Sequence, residues 1–206
     1  MPIVLVHGLG VSHRYFRRLL PLLPGATAPD LAGDSVAELA TSLAGVAPER
    51  ATFVANSLGC QVVVELAVRE PARVERLVLI GPTGYGDPLA AYAARLAVDA
   101  VREPPSLDLV AGVDYLRWGP ARVARAARSM RRDPFVAKLP LVAAPTLVVR
   151  GERDAICHEP WAARVASGLP RGRLAVVDGA AHAAHWSHAR EVARLVQEFE
   201  HDTSEG

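Results

Sequence analysis

The chain of 206 residues is poor in several things, and each shortage narrows what it can be. It has two cysteines, Cys60 and Cys157, too few for a disulfide framework and suited to a reducing compartment. Charge of one sign is missing as well: the net charge is +1, without the basic surplus that nucleic-acid binding needs. No apolar run reaches the roughly 20 residues that cross a bilayer. The start, MPIVLVHG, lacks the basic segment of a secretory signal, so a cytoplasmic location is expected, with neither membrane nor nucleic acid as partner. What is present is apolar: half of the residues are hydrophobic, enough for one full-sized core.

Short apolar runs alternate with helical patterns. The runs are Ile3–Val6, a weak one near Ala26–Ala28, Thr52–Ala55, Arg76–Ile80, Thr146–Val149 and Leu174–Val177. They are nearly continuous in Val, Leu and Ile, as strands buried on both faces require. Between them, Leu58, Val62, Val63 and Leu66 form one helical stripe, and Val192, Leu195, Val196 and Phe199 another. Gly81-Pro82, Ala144-Pro145 and Gly168-Leu169-Pro170 punctuate the alternation. The expected fold class is therefore α/β, with a mostly parallel sheet of about six strands flanked by helices.

The pattern breaks between residues 84 and 140, where strands vanish and the sequence becomes helical and rich in arginine. The expected organisation is a core of residues 1–83 and 141–206 carrying a helical cap of residues 84–140. Within the cap, Ala121–Arg132 reads as a solvated basic face with Val123, Ala127 and Met130 on its buried side. Leu89, Tyr92, Leu96, Tyr115, Leu116 and Trp118 are candidates either for a pocket lining or for ordinary packing inside the cap.

The stretch Ala55-Asn56-Ser57-Leu58-Gly59 carries the chemistry. A serine at the junction of a buried strand and a helix, with small residues two positions to either side, fits a strained turn that other backbone approaches closely. Such a turn lifts the hydroxyl clear of the sheet and brings the Leu58 amide and the positive end of a helix to the same point. Ser57 could equally be a plain N-cap. A serine nucleophile needs a base, and the base an orienting acid. Asp154 follows the strand Thr146–Val149, and His182 follows Leu174–Val177. In a parallel sheet all strand ends of one sense share an edge, so the three side chains converge there. The expected contact is a hydrogen bond from the Ser57 hydroxyl to the His182 ring.

On these motifs, in the order Ser, Asp, His, the chain resembles the α/β-hydrolase fold family. The resemblance extends to His7-Gly8-Leu9-Gly10, similar to the family's oxyanion loop, to Ala28-Pro29-Asp30-Leu31, and to Ala144–Val149, covering nearly the whole chain. It implies an oxyanion hole made by the Leu9 and Leu58 amides, a structural role for His7, and a shorter sheet than is usual, since members carry two further strands ahead of this loop. With Ala26–Ala28 as an edge, pairing of two copies into a homodimer stays open. The expected function is a serine hydrolase acting on a small-molecule acyl substrate through an acyl-enzyme, with no cofactor and no metal. A thioesterase, a carbon–carbon bond hydrolase or a non-catalytic receptor on the same scaffold are the alternatives.

Three competing signals accompany this reading. Asp87, after the fourth run, is a second candidate for the acid. His182, His185 and His188 have a spacing able to chelate zinc, without a carboxylate or cysteine nearby in sequence. Gly8-Leu9-Gly10 with Asp30 about twenty residues on resembles a dinucleotide site, but His13 stands where close packing calls for glycine or alanine.

Overall fold

A computed structural model of the chain describes residues 1–86 and 89–202. Among these residues five strands form one sheet, β1 (Ile3–Val6), β2 (Ala51–Asn56), β3 (Val74–Ile80), β4 (Thr146–Gly151) and β5 (Gly172–Val177), side by side in that order. Every pairing is parallel, with Val4 opposite Phe53, Phe53 opposite Leu77, Leu79 opposite Val148 and Val148 opposite Leu174. The continuous apolar runs are explained by the two-residue period of a strand. Val4, Val6, Phe53, Ala55, Leu77 and Leu79 enter one core, whereas Leu5, Val54, Val78 and Ile80 enter another on the opposite face.

The first core is closed by α1 (Val36–Val46), α2 (Leu58–Arg69) and, through Trp161, Ala162 and Val165, a helix at Glu159–Gly168. The second is closed by the C-terminal helix Ala189–His201, which buries Val192, Val196 and Phe199 at i, i+4 and i+7.

The weak run near Ala26–Ala28 shrinks to a single bridge, Thr27 beside Val4. Thr27 donates its N–H to Ile3 O at 2.9 Å, and Thr27 O accepts from Leu5 N at 2.7 Å. Gly25, at φ 76°, turns the chain just before, and Pro29 has no N–H with which to continue the ladder. The bridge nonetheless fixes the topology. Thr27 lies on one side of β1 and β2 on the other, so the chain reverses its winding there. In open α/β sheets the crevice at such a reversal, beyond the carboxyl ends of the strands, is where ligands bind.

Between β3 and β4 the chain runs through α3 (Leu89–Arg102), α4 (Pro105–Trp118), α5 (Pro120–Arg132) and α6 (Phe135–Lys138). The buried side of α5 is Ala126 and Met130, with Val123 and Ala127 half-buried, a small rotation from the expected stripe. Its arginines are not all solvated. Arg122 lies over the Trp118 ring at 3.8 Å and donates to Leu31 O at 3.0 Å and Gly33 O at 2.9 Å. No helix among the described residues is long and apolar enough to cross a membrane.

Candidate active site

The turn between β2 and α2 holds Ser57 at φ 55° and ψ −120°, the one non-glycine residue with positive φ among those described. Such a conformation costs roughly 1–3 kcal/mol and persists only where its surroundings enforce it. The enforcement is crowding. A side chain on Gly59 would lie 2.8 Å from His7 O and closer still to Val6 O, and one on Gly8 would meet Ser57 Cβ at 3.2 Å. Ser57 begins α2 yet makes no capping hydrogen bond, so its hydroxyl is not used as a plain N-cap uses it. Asn56 ties the turn to its neighbours, donating Nδ2 to Ile80 O at 3.1 Å and to His182 O at 3.3 Å.

His182 and Asp154 meet as expected, with Nδ1 of the ring 2.9 Å from Asp154 Oδ2. The other carboxylate oxygen accepts from Ile156 N at 2.8 Å and Cys157 N at 2.7 Å, which fixes the acid's orientation. Burial alone would raise the Asp154 pKa; the His182 ring and those two amides hold it below the ordinary value. Burial alone would lower that of His182; Asp154, with Asp99 and Glu103 behind it, lifts it to about 9. Gly81, at φ 56°, leaves room for the pair, since a side chain there would come within 2.8 Å of His182 Nδ1. Asp87, the other candidate acid, lies outside the described residues.

Ser57 and His182 border one cavity of about 160 Å³, at the crevice where the winding reverses. The expected hydrogen bond between them is absent among the described residues. Both residues border the same cavity, and hydrogen bonds between such groups in ligand-free sites commonly tighten only around substrate. Leu9 also borders the cavity, and neither its amide nor that of Leu58 takes part in a turn or cap hydrogen bond among the described residues. Of the candidate lining residues, Tyr92, Leu96 and Tyr115 reach the cavity. Leu116 is 82% exposed, and Trp118 packs edge-on against His7 instead. Nothing is described for the Leu89 side chain.

The remaining histidines have local employment. His7 points Nδ1 at Gly8 O, 3.0 Å away, and its Nε2 accepts from Leu31 N at 3.3 Å; burial pulls its pKa down. The three histidines of the chelating pattern do not converge. His185 packs against the Tyr15 and Phe16 rings, at 4.6 and 4.8 Å, while His188 Nδ1 meets Ser187 Oγ at 3.0 Å. Asp30, the acid of the dinucleotide pattern, is taken up by His13, whose N–H it accepts at 2.7 Å. Cys60 is buried and its Sγ donates to Ala55 O at 3.4 Å, a small core filler with its thiol pKa pushed up by burial.

Sequence reasoning missed three acids. Asp99 on α3 and Glu103 just past its end accept from His182 N at 3.2 Å and Ala183 N at 2.6 Å. Asp114 on α4 accepts from Ser12 N at 3.0 Å and Ser12 Oγ at 2.6 Å and pairs with Arg14, anchoring the chain just beyond His7–Gly10. Spacing of four on an amphipathic helix was the only signal for the first two, and a solvated face gives the same signal.

Comparison with known proteins bears on the family and the fold. The chain is 29% identical, over 96% of its length and 92% of theirs, to the pimeloyl-[acyl-carrier protein] methyl ester esterase of Neisseria meningitidis. It is 26% identical to 2-hydroxy-6-oxononadienedioate/2-hydroxy-6-oxononatrienedioate hydrolase 2 of Pseudomonas putida, covering 96% of this chain and 86% of that one. Among solved structures, a thermophilic esterase from Thermogutta terrifontis shares the fold with a TM-score of 0.81 at 21% identity, over 97% of this chain and 89% of that one. The enol-lactonase from Burkholderia xenovorans LB400 does so with a TM-score of 0.81 at 19% identity, over 97% and 90%. The profile of the alpha/beta hydrolase family matches residues 3–195, and the chain belongs to that family.

Proposed function

We propose that the chain is a serine hydrolase that cleaves an ester through a covalent acyl-enzyme, with Ser57 as nucleophile, His182 as general base and Asp154 as its orienting acid. The observation that carries this reading is the 2.9 Å His182–Asp154 contact beside the strained Ser57, on one cavity. His182 Nε2 takes the Ser57 proton as Oγ attacks the carbonyl carbon. The resulting oxyanion is held by the Leu9 and Leu58 amides, with the N-terminal end of α2 adding its dipole. The proton passes to the leaving alcohol as the bond to it breaks. A water molecule, deprotonated by His182, then attacks the acyl-enzyme and releases the acid, returning the proton to Ser57. Asp154, 2.9 Å from His182 Nδ1, stabilises the imidazolium that forms when the ring takes the proton. An ester is favoured because a relative covering 96% of this chain is named as a methyl ester esterase.

The test is labelling by a fluorophosphonate probe, located by mass spectrometry, with turnover of a panel of p-nitrophenyl esters of increasing chain length. Label on Ser57 is expected, and Ser57→Ala should lower turnover by about three to six orders of magnitude. Failure of the probe to label, or a Ser57→Ala protein of undiminished activity, would leave only the receptor reading of the scaffold.

A further inference from the structure

Acidic side chains outnumber basic ones around the cavity in front of Ser57, where His182 is the one basic group. Asp99 and Glu103 border it, Asp108 stands at its rim, and neither lysine nor arginine is among its lining residues. The two arginines of α3 are turned elsewhere, Arg95 toward Ala155 O at 3.3 Å and Arg102 toward Arg153 O at 2.6 Å. Asp99 and Glu103 are only 5% and 8% exposed, an expensive place for carboxylates. Each gives one oxygen to a backbone amide of the His182 turn. That accounts for half of Glu103: its Oε2 is buried with no hydrogen-bond partner. Burial raises the pKa of Asp99 and lifts that of Glu103 to about 7, and a cation held beside them favours the ionised form of both.

The rest of the lining is aromatic to an unusual degree for this chain. Three of its four tyrosines, Tyr15, Tyr92 and Tyr115, border the cavity. Burial pushes the pKa of all three phenols upward, so they remain neutral rings whose faces attract cations. Tyr115 packs against Gly10, where φ is 72° and any side chain would collide with the ring.

From these two independent features we infer that the cavity takes substrates carrying an ammonium group, bound between the tyrosine faces and the Asp99 and Glu103 carboxylates. A substrate with a free carboxylate at the same position is rejected. The inference rests on the hydrolase reading only in calling the ligand a substrate; the charge preference belongs to the cavity itself. Asp99 and Glu103 are then specificity-determining residues that also position the His182 turn.

The experiment measures dissociation constants of hexylammonium, hexanol and hexanoate by titration calorimetry on the full chain. Wild type is compared with Asp99→Asn, Glu103→Gln and Tyr92→Leu. The amide variants keep an acceptor oxygen for the His182 and Ala183 amides, so the ratio of dissociation constants reports charge rather than damage to the turn. Hexylammonium is expected to bind roughly tenfold or more tightly than hexanoate, with hexanol between them. Either amide variant should lower that ratio several-fold, and Tyr92→Leu should weaken hexylammonium selectively. Equal binding of the two ions, or a ratio indifferent to both amide substitutions, overturns the inference. Preference for the cation in a protein that no fluorophosphonate labels supports the inference and removes the hydrolase reading instead.

Discussion

The close approach of β1 to the Ser57 turn can be tested by adding one methyl group, in Gly59→Ala. The new carbon would lie 2.8 Å from His7 O and nearer to Val6 O, and both atoms are backbone of the first strand and its loop. Backbone cannot rotate out of the way as a flexible side chain would, so the upper end of the usual overpacking cost applies, about 3 kcal/mol. Replacing a helical glycine by alanine returns about 1 kcal/mol, leaving a net loss of about 2. For a domain of this size each kcal/mol moves Tm by about 2–4 °C, which predicts a fall of roughly 4–8 °C by calorimetry. The displaced loop also carries Leu9, and a shift of about 1 Å at a reacting centre costs on the order of 100-fold in turnover. Gly45→Ala is the matched control. It lies in α1 with nothing within 4 Å of the added carbon, so Tm should rise by up to about 4 °C with activity unchanged. A Gly59→Ala protein with wild-type Tm and wild-type kcat/KM would refute the crowding argument for the strained serine.

Two further substitutions test the surroundings of the site. Neither ring nitrogen of the buried His185 has a hydrogen-bond partner, and burial pulls its pKa down to about 3. The unfolded chain takes up a proton near pH 6.5 that the fold refuses, so stability is complete above that pH and drains away as the pH falls toward 3. His185→Phe should therefore reduce the loss of unfolding free energy between pH 6 and 4 by roughly 1 kcal/mol per pH unit in urea titrations; an identical pH slope would count against it. Asp114→Ala leaves Ser12 N, Ser12 Oγ and Arg14 without their acceptor. A loss of about 2–3 kcal/mol is expected, read as a fall of roughly 4–12 °C in Tm, and an unshifted Tm would show that this anchor contributes nothing.

How much the sequence revealed depended on whether the signal was local. Ser57 with Gly59, Asp154 and His182 were legible because each lies within a few residues of the end of a strand rich in Val, Leu and Ile, and the parallel sheet collects such ends. The five strands were legible for the same reason. The sixth was not, because Gly25 and Pro29 each look tolerable at an edge, and only together do they reduce it to Thr27. Asp99, Glu103 and Asp114 were illegible for a different reason. Their partners stand 83, 80 and 102 residues away, and until the helices are docked a carboxylate facing a backbone amide reads the same as one facing water. Leu116 and Trp118 failed as lining residues because apolar character on a helix names a face but not the neighbour it meets.

The two hydrogen bonds from the amides of residues 182 and 183, to Asp99 on α3 and to Glu103 just past its end, bear on how this scaffold could be re-engineered. The helices between β3 and β4 look like an interchangeable module, and transplanting such a segment from a relative is an obvious route to new selectivity. Here a donor segment would have to bring two acceptors of its own, one helical turn apart and at the same height above the sheet. Without them the graft would leave two bare N–H groups beside the imidazole, and the turn that holds the ring would loosen along with any change in selectivity.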